Sequence, residues 1–135
     1  MIKRWRDNPA LQKPKLSKEY SELQTIFKDN LVLSDNMLYY YEKGYEKDKY
    51  DSGLFNITEA EYGYTIMINP KKFDEKNEAI YNNMLKAFYP NSYESAYKDM
   101  LQSIKDKSVI QEKTYDGKQF FGRANSYEIT IYISK

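Results

Sequence analysis

The sequence predicts an α+β fold: a largely antiparallel sheet with an N-terminal helix and two central helices packed on one face. Three observations support this fold class. Apolar residues recur at helical spacing in one segment near the start and in two consecutive segments at the centre. Short segments that alternate apolar and polar residues, separated by turn residues, occupy much of the rest. The length of 135 residues suits one domain.

The N-terminal region divides into an arm and a helix. Residues 1–15 contain Pro9 and Pro14 and show no period, so we predict an extended basic arm there and a single α+β domain over 16–135. Ser17 is a favourable N-cap for the helix that follows. The apolar face of this helix is formed by Leu16, Tyr20, Leu23, Ile26 and Phe27.

A predicted meander of short strands follows this helix. It is preceded by an apolar run at 31–33 and a turn composition at 34–36. Three segments have strand character: 37–43, 54–58 and 62–69. A charged loop over 44–53 separates the first two. In the third, the core face is formed by Tyr62, Tyr64, Ile66 and Ile68, and the opposite face by Thr65 and Met67.

Two consecutive helices are predicted at the centre of the chain. The first covers 74–88 and ends before Pro90, which cannot continue a helix. The second is predicted to begin with Asn91 as N-cap, and Glu94 three residues later completes a capping-box pattern. Its apolar stripe consists of Tyr93, Ala96, Tyr97, Met100, Leu101 and Ile104.

The C-terminal region returns to strands. A strand over 109–115 meets Asp116-Gly117, a strong signal for a tight hairpin turn, and the partner strand begins at Lys118. The glycine-containing stretch 122–125 predicts an interruption. The last strand alternates strictly. Its predicted inward side chains are Tyr127, Ile129, Ile131 and Ile133, and its outward ones are Glu128, Thr130, Tyr132 and Ser134.

Several kinds of chemistry are missing from the sequence. The chain has no cysteine and no histidine, which excludes disulfides, thiolate nucleophiles and zinc–thiolate sites and removes the commonest general base. It carries no glycine-rich phosphate loop and no calcium-loop spacing. No run approaches 18 consecutive apolar residues, so no transmembrane segment is predicted. We therefore expect no cofactor, no metal and no enzymatic activity.

One catalytic alternative stays open. Carboxylate pairs perform acid–base work, and Glu59 with Glu61, or Glu112 with Asp116, could approach each other in the fold. These residues also suit turns and surfaces. Arg123 could anchor a carboxylate or phosphate through its guanidinium fork, or close a bulge by a salt bridge. The corresponding function would be a small carboxylate-based hydrolase.

The charge distribution argues against nucleic acid as a partner. The net charge is +1, yet residues 1–18 carry +5 and residues 35–62 carry −4. Exposed aromatic rings can stack unpaired bases, but that mode also requires a positive groove for the phosphates. The tyrosine-rich segment 38–50 lies in the acidic region, so its charge opposes nucleic-acid binding.

The tyrosines favour a protein partner. The chain has 15 tyrosines, an excess that is also typical of codon bias in an AT-rich genome. Tyrosine is enriched at protein interfaces because its rigid ring is ordered at low entropic cost. Tyr40 is expected to pack in the core. The predicted partner-binding residues are Tyr39, Tyr41, Tyr45, Tyr50, Met67 and Tyr132, with an acidic rim of Glu42, Glu46, Asp48 and Asp51. The alternative is that these rings stiffen a hairpin by cross-strand pairing.

The sequence thus favours a non-catalytic protein-binding module. The expected form is an immunity or inhibitor protein that occludes a bacterial toxin or enzyme. An alternative is an exported structural domain of a cell-envelope or conjugation assembly, tethered through the basic arm. Two compartments fit these interpretations: the bacterial cytoplasm, or export directed by a signal or membrane anchor upstream of Met1.

Overall fold

A computed structural model describes residues 17–41, 53–106 and 108–135 of the chain. It contains three α-helices and one seven-stranded sheet in which every neighbouring pair of strands is antiparallel. The predicted α+β fold class is confirmed. The predicted arm over 1–15 lies outside the described residues, and so does the predicted charged loop except for Gly53.

The helices and strands alternate in blocks along the chain. The helices are α1 (Lys18–Phe27), α2 (Glu78–Phe88) and α3 (Tyr93–Asp106). Short 3₁₀ turns cover Lys28–Asn30, Pro70–Lys72 and Glu75–Asn77. The strands are β1 (Leu31–Ser34), β2 (Met37–Tyr41), β3 (Gly53–Glu59), β4 (Gly63–Ile68), β5 (Val109–Tyr115), β6 (Lys118–Ala124) and β7 (Ile129–Ser134).

The sheet consists of two meanders joined at its centre. Its strand order is β1-β2-β3-β4-β7-β6-β5. The first meander runs inward from β1 to β4, and α2 and α3 then carry the chain to the far edge, where β5 begins. The second meander returns, so that β7 pairs with β4 from Gly63↔Ser134 to Ile68↔Ile129. The last strand of the chain is therefore a central strand of the sheet.

The three helices pack on one face of the sheet and bury a single hydrophobic core. Aromatic contacts join two of the helices to strands: Phe27 of α1 packs on Tyr40, and Phe88 of α2 packs on Tyr64. The core side chains of β4 and β7 alternate as the sequence predicts. The fully buried apolar residues of these two strands and of α2 include Ile66, Ile131, Met84, Leu85 and Phe88.

Part of the tyrosine excess belongs to this core. Tyr20, Tyr81 and Tyr89 are each at most 1% exposed, and each hydroxyl donates a hydrogen bond to a main-chain carbonyl. The Tyr89 hydroxyl, for example, reaches Gln119 O at 2.8 Å. A buried hydroxyl without such a partner would be costly, so these tyrosines tie distant segments together as well as filling volume. The expectation that Tyr40 packs in the core is also confirmed, since Tyr40 is 7% exposed.

The N-terminal end of α1 is capped as predicted, and that of α3 is not. The Ser17 hydroxyl accepts a hydrogen bond from Tyr20 N at 3.2 Å, so the predicted N-cap of α1 is confirmed. The capping box predicted at Asn91 is wrong. Helix α3 begins at Tyr93, and Asn91 instead donates its main-chain N–H to the Asp116 carboxylate at 3.0 Å.

Three apolar side chains predicted to be inward are exposed. Tyr62 is 82% and Tyr127 is 92% exposed, because β4 begins at Gly63 and β7 at Ile129, and alternation holds only within a paired strand. Ile26 is 39% exposed because it lies beside the buried stripe of α1.

The predicted interruption at 122–125 is also wrong, since β6 continues through Ala124. Gly122 is required there for space: a Cβ at this position would lie 2.1 Å from Thr130 O of the neighbouring strand. The irregularity lies instead on β5, between Ile110 and Lys113. The hairpin turn at Asp116-Gly117 is confirmed, with φ angles of 51° and 80°.

Candidate functional site

The candidate site is the face of the sheet opposite the helices, which we call the open face. Side chains that alternate with the core residues form it, because successive side chains of a strand point to opposite faces. Its members include Val32, Ser34, Met37, Tyr39, Tyr41, Asn56, Thr58, Thr65, Met67, Val109, Phe121, Arg123, Thr130 and Tyr132.

Two rows of paired residues run across the open face. The first row crosses all seven strands in the order Val32, Tyr39, Asn56, Met67, Thr130, Arg123 and Val109. The second row contains Ser34, Met37, Thr58, Thr65, Tyr132 and Phe121. Facing residues on adjacent strands are close enough for direct contact, so each row is a continuous surface.

Large apolar side chains on this face remain exposed. Met67 is 48%, Tyr132 42% and Phe121 37% exposed, although all three lie on inner strands of the sheet. At the two edges, Val32 is 40% and Val109 is 55% exposed. Monomeric proteins seldom leave large contiguous apolar surface uncovered, so this clustering is informative where a single exposed ring would not be.

Two pairs of stacked aromatic rings stiffen the open face. The rings of Phe121 and Tyr132 lie 5.3 Å apart with an interplanar angle of 24°. Those of Tyr39 and Tyr41 lie 6.1 Å apart at 14°. The Tyr39 hydroxyl also donates a hydrogen bond to Met37 Sδ at 3.3 Å. Stacked aromatic pairs of this kind stabilise the arrangement of the side chains beyond the effect of burial alone.

A polar atom without a partner lies in the middle of this surface. Asn56 stands between Tyr39 and Met67 in the first row. Its Oδ1 atom is buried and accepts no hydrogen bond from the described residues. An unsatisfied buried acceptor costs about 1–3 kcal/mol. Native structures contain few such atoms, and each of them calls for an explanation such as a functional role.

Four of the predicted partner-binding residues share the open face: Tyr39, Tyr41, Met67 and Tyr132. Tyr45 and Tyr50 lie outside the described residues, as does the whole predicted acidic rim of Glu42, Glu46, Asp48 and Asp51. Sequence reasoning missed Phe121 and Val109 as members of the face. The alternation of β6 would have placed Phe121 beside Tyr132 if Gly122 had been assigned to the interior of the strand.

One carboxylate of each pair considered for catalysis has a structural partner. Glu59 Oε2 binds Lys135 Nζ at 2.8 Å. The Asp116 carboxylate accepts hydrogen bonds from Asn91 N and from Ser92 Oγ at 3.0 and 3.1 Å, which holds the β5–β6 turn against the start of α3. In the part of the chain that the structure describes, no three acidic residues come together in a way that could hold a metal ion.

A second polar cluster lies on the helix side, around Glu19. Its carboxylate accepts hydrogen bonds from the Tyr64 hydroxyl at 2.9 Å and from Lys118 Nζ at 3.1 Å. Burial opposes ionisation of this carboxyl, but its own backbone N–H, Tyr64 and Lys118 outweigh that effect and lower its pKa. Burial raises the pKa of Tyr64, so the hydroxyl keeps its proton. Because the polar groups pair with one another, the cluster fastens α1 to the sheet.

Comparison of the chain with protein-family models, with curated proteins and with solved structures gives no match. Among the described helices, none is long and apolar enough to cross a membrane. A proposal about function therefore depends on the geometry of the open face.

Proposed function

We propose that the chain is a non-catalytic protein-binding module and that the open face is its interface. One observation carries the proposal: two stacked aromatic pairs, Tyr39–Tyr41 and Phe121–Tyr132, flank the exposed Met67 on a face that the described helices leave uncovered. The same residues in a core would be buried, and the same residues scattered singly would need no explanation.

The composition of this face matches that of protein interfaces. Tyrosine, phenylalanine, methionine and arginine are enriched at interface centres, whereas lysine and glutamate are depleted. The open face contains the first four types, and its central side chains lie on strands fixed by pairing on both sides. A fixed surface loses little conformational entropy on binding, so more of the contact energy appears as affinity.

We further propose that binding occludes the partner, as an inhibitor or immunity protein occludes a toxin or enzyme. A broad and ordered sheet face can cover a partner's surface without changing its own shape. The alternative, a structural domain of a larger assembly, would use the same face but leave the partner's activity unchanged. The partner's own activity in the complex therefore separates the two.

Capture of the partner by site-directed crosslinking tests the proposal. A photo-crosslinking amino acid replaces Met67 on the open face, and in a matched control replaces Thr25, an exposed residue of α1 on the helix side. Both proteins are irradiated in lysate of the source organism. We expect an adduct with one protein from position 67 that is missing from position 25.

The captured protein is then produced by itself and assayed with and without the chain. Loss of its activity in the complex supports the inhibitor, and unchanged activity supports the structural domain. Equal adducts from both positions would contradict the open face as the interface.

A further inference from the structure

The arginine on the open face has no carboxylate partner within the described residues. Arg123 is exposed and pairs across the sheet with Thr130 on one side and Val109 on the other. By contrast, Lys113, Lys118 and Lys135 each form an ion pair with a carboxylate between 2.8 and 3.1 Å away. Arg123 is thus a cation among the apolar and neutral polar side chains of the two rows.

An acidic side chain next to the start of β7 accepts a hydrogen bond from a neighbouring hydroxyl. Glu128 precedes β7 on the same side of the sheet as Thr130, and its Oε1 atom accepts a hydrogen bond from Thr130 Oγ1 at 2.9 Å. The ion pairs among the described residues do not include one between Glu128 and Arg123. With respect to these residues, the guanidinium keeps its donors available on the surface that a partner would cover.

A covered arginine needs an anion. Arginine is a cation in proteins, and burying a charged group without a counter-charge is strongly unfavourable. A carboxylate satisfies it by two parallel hydrogen bonds, and such bonds to charged groups are stronger than neutral ones. Because Arg123 forms no ion pair within the described residues, one carboxylate of the partner would satisfy it.

We propose that Arg123 is the anchor for an acidic side chain of the protein partner. This inference rests on the proposed function, since it identifies the chemistry of the partner for the same face. The partner segment carries an aspartate or glutamate next to apolar side chains, which lie against Met67 and the Phe121–Tyr132 pair. A nucleic acid would instead require several cations along its phosphates, and the members of the open face include one.

Selection of displayed peptides tests this chemistry while the partner is still unidentified. A phage library of random 12-residue peptides is selected on the wild-type chain and, in parallel, on Arg123→Gln. We expect wild-type binders to be enriched in aspartate or glutamate near aromatic or aliphatic residues, and binders of Arg123→Gln to lack that enrichment. Equal acidic enrichment in both selections, or none in either, would overturn the anchor.

Affinity measurements with one synthetic enriched peptide complete the test. Arg123→Gln should weaken its binding on the order of 10- to 100-fold, while Lys98→Gln, an exposed cation of α3, should leave it unchanged. Replacing the acidic residue of the peptide by its amide should weaken binding by the same factor. The two changes together should weaken binding little more than either change alone. Additive losses would contradict a direct contact.

The same peptide separates this inference from the proposed function. If the Tyr39→Ala/Tyr41→Ala/Tyr132→Ala variant binds it as well as wild type, the open face is not the interface and both proposals fail. If that variant loses binding while Arg123→Gln keeps it, the interface stands and the anchor fails. Binding of fluorescent oligouridylate that is lost in Arg123→Gln would replace the carboxylate by a nucleic-acid phosphate and overturn the inference.

Discussion

The Tyr64 hydroxyl donates a hydrogen bond of 2.9 Å to the carboxylate of Glu19, which joins the central strand β4 to the first turn of α1. Lys118 of β6 binds the other oxygen of the same carboxylate at 3.1 Å. One ionised group therefore holds a helix against two strands, and its charge state should control how firmly α1 is docked.

Replacement of Glu19 by glutamine should destabilise the fold by about 1–3 kcal/mol at neutral pH, because hydrogen bonds to a charged group are lost. The pKa of Glu19 is lowered in the folded chain from 4.5. The stabilisation that ionised Glu19 provides is therefore fully present above pH 4.5. It is lost as the pH falls from there through the pKa of the folded chain. Urea unfolding at about pH 7 and about pH 3.5 measures both effects.

The control for this change is Glu61→Gln, since Glu61 is exposed in the β3–β4 turn. Glu61→Gln should leave stability at neutral pH unchanged. The account of α1 docking fails if Glu19→Gln loses as much stability on acidification as the wild type does.

Gly122 should tolerate no side chain. An added Cβ would meet Thr130 O at 2.1 Å, and this atom belongs to the backbone of a paired strand that cannot move aside. We expect Gly122→Ala to cost about 3 kcal/mol in the free energy of unfolding, near the upper end of the usual overpacking cost.

Gly117→Ala is the comparison, because a Cβ there meets nothing within 4 Å. Its cost is only that of placing alanine at a φ of 80°, about 1 kcal/mol. Urea titration of both variants measures the difference, and equal costs would refute the close approach.

Alkaline pH should unfold the chain in part through Tyr97. Burial, reinforced by Glu78 and Asp74, raises the pKa of Tyr97 to about 12. Because the pKa is raised in the folded chain, the protonated Tyr97 contributes its full stabilisation below pH 10, the ordinary tyrosine value. This stabilisation is lost as the pH rises towards 12. Tyr97→Phe should therefore lose less stability between about pH 9 and about pH 11.5 than the wild type. Thermal unfolding followed by circular dichroism measures this, and identical losses would contradict it.

Asn56→Val should stabilise the chain. It removes the buried Oδ1 atom that has no hydrogen-bond partner among the described residues and places a β-branched side chain in the middle of a sheet. The expected gain is about 1 kcal/mol. Thr58→Val, two residues along the same face, is the matched control and should change stability less. If Asn56→Val destabilises the chain more than Thr58→Val does, the amide has a structural role on this face.

Local signals in the sequence predicted much of this fold. Ser17 caps α1 and Asp116-Gly117 forms a tight turn because both depend on backbone geometry within a few residues. The inward residues of β4 and β7 followed from alternation alone, as in Ile66 and Ile131. Alternation also separates Met67 and Tyr132 from the core residues of their own strands.

Features that depend on distant segments were not predictable. In the sequence, Gly122 suggested a break in the strand. In the structure, glycine is needed there because the carbonyl oxygen of Thr130 on a neighbouring strand leaves no room for a side chain. Tyr20 has the spacing of an ordinary stripe residue, but its hydroxyl binds the carbonyl of Ile57, as that of Tyr89 binds Gln119. The meeting of β4 with β7 decides which strands share the open face, and no local pattern contains that pairing.

The central claim, that the open face binds a protein, is tested most directly by the affinity of the partner crosslinked at position 67. Calorimetry compares the wild type with Tyr39→Ala/Tyr41→Ala/Tyr132→Ala and with the control Tyr62→Ala/Tyr127→Ala, whose rings are exposed outside the strands. Circular dichroism first confirms that both variants are folded. We predict a loss of affinity of about 100-fold or more in the open-face variant, since truncating each buried anchor typically costs more than about 1 kcal/mol, and no change in the control. Equal affinity for all three proteins would contradict the claim and return the tyrosines of this face to a packing role.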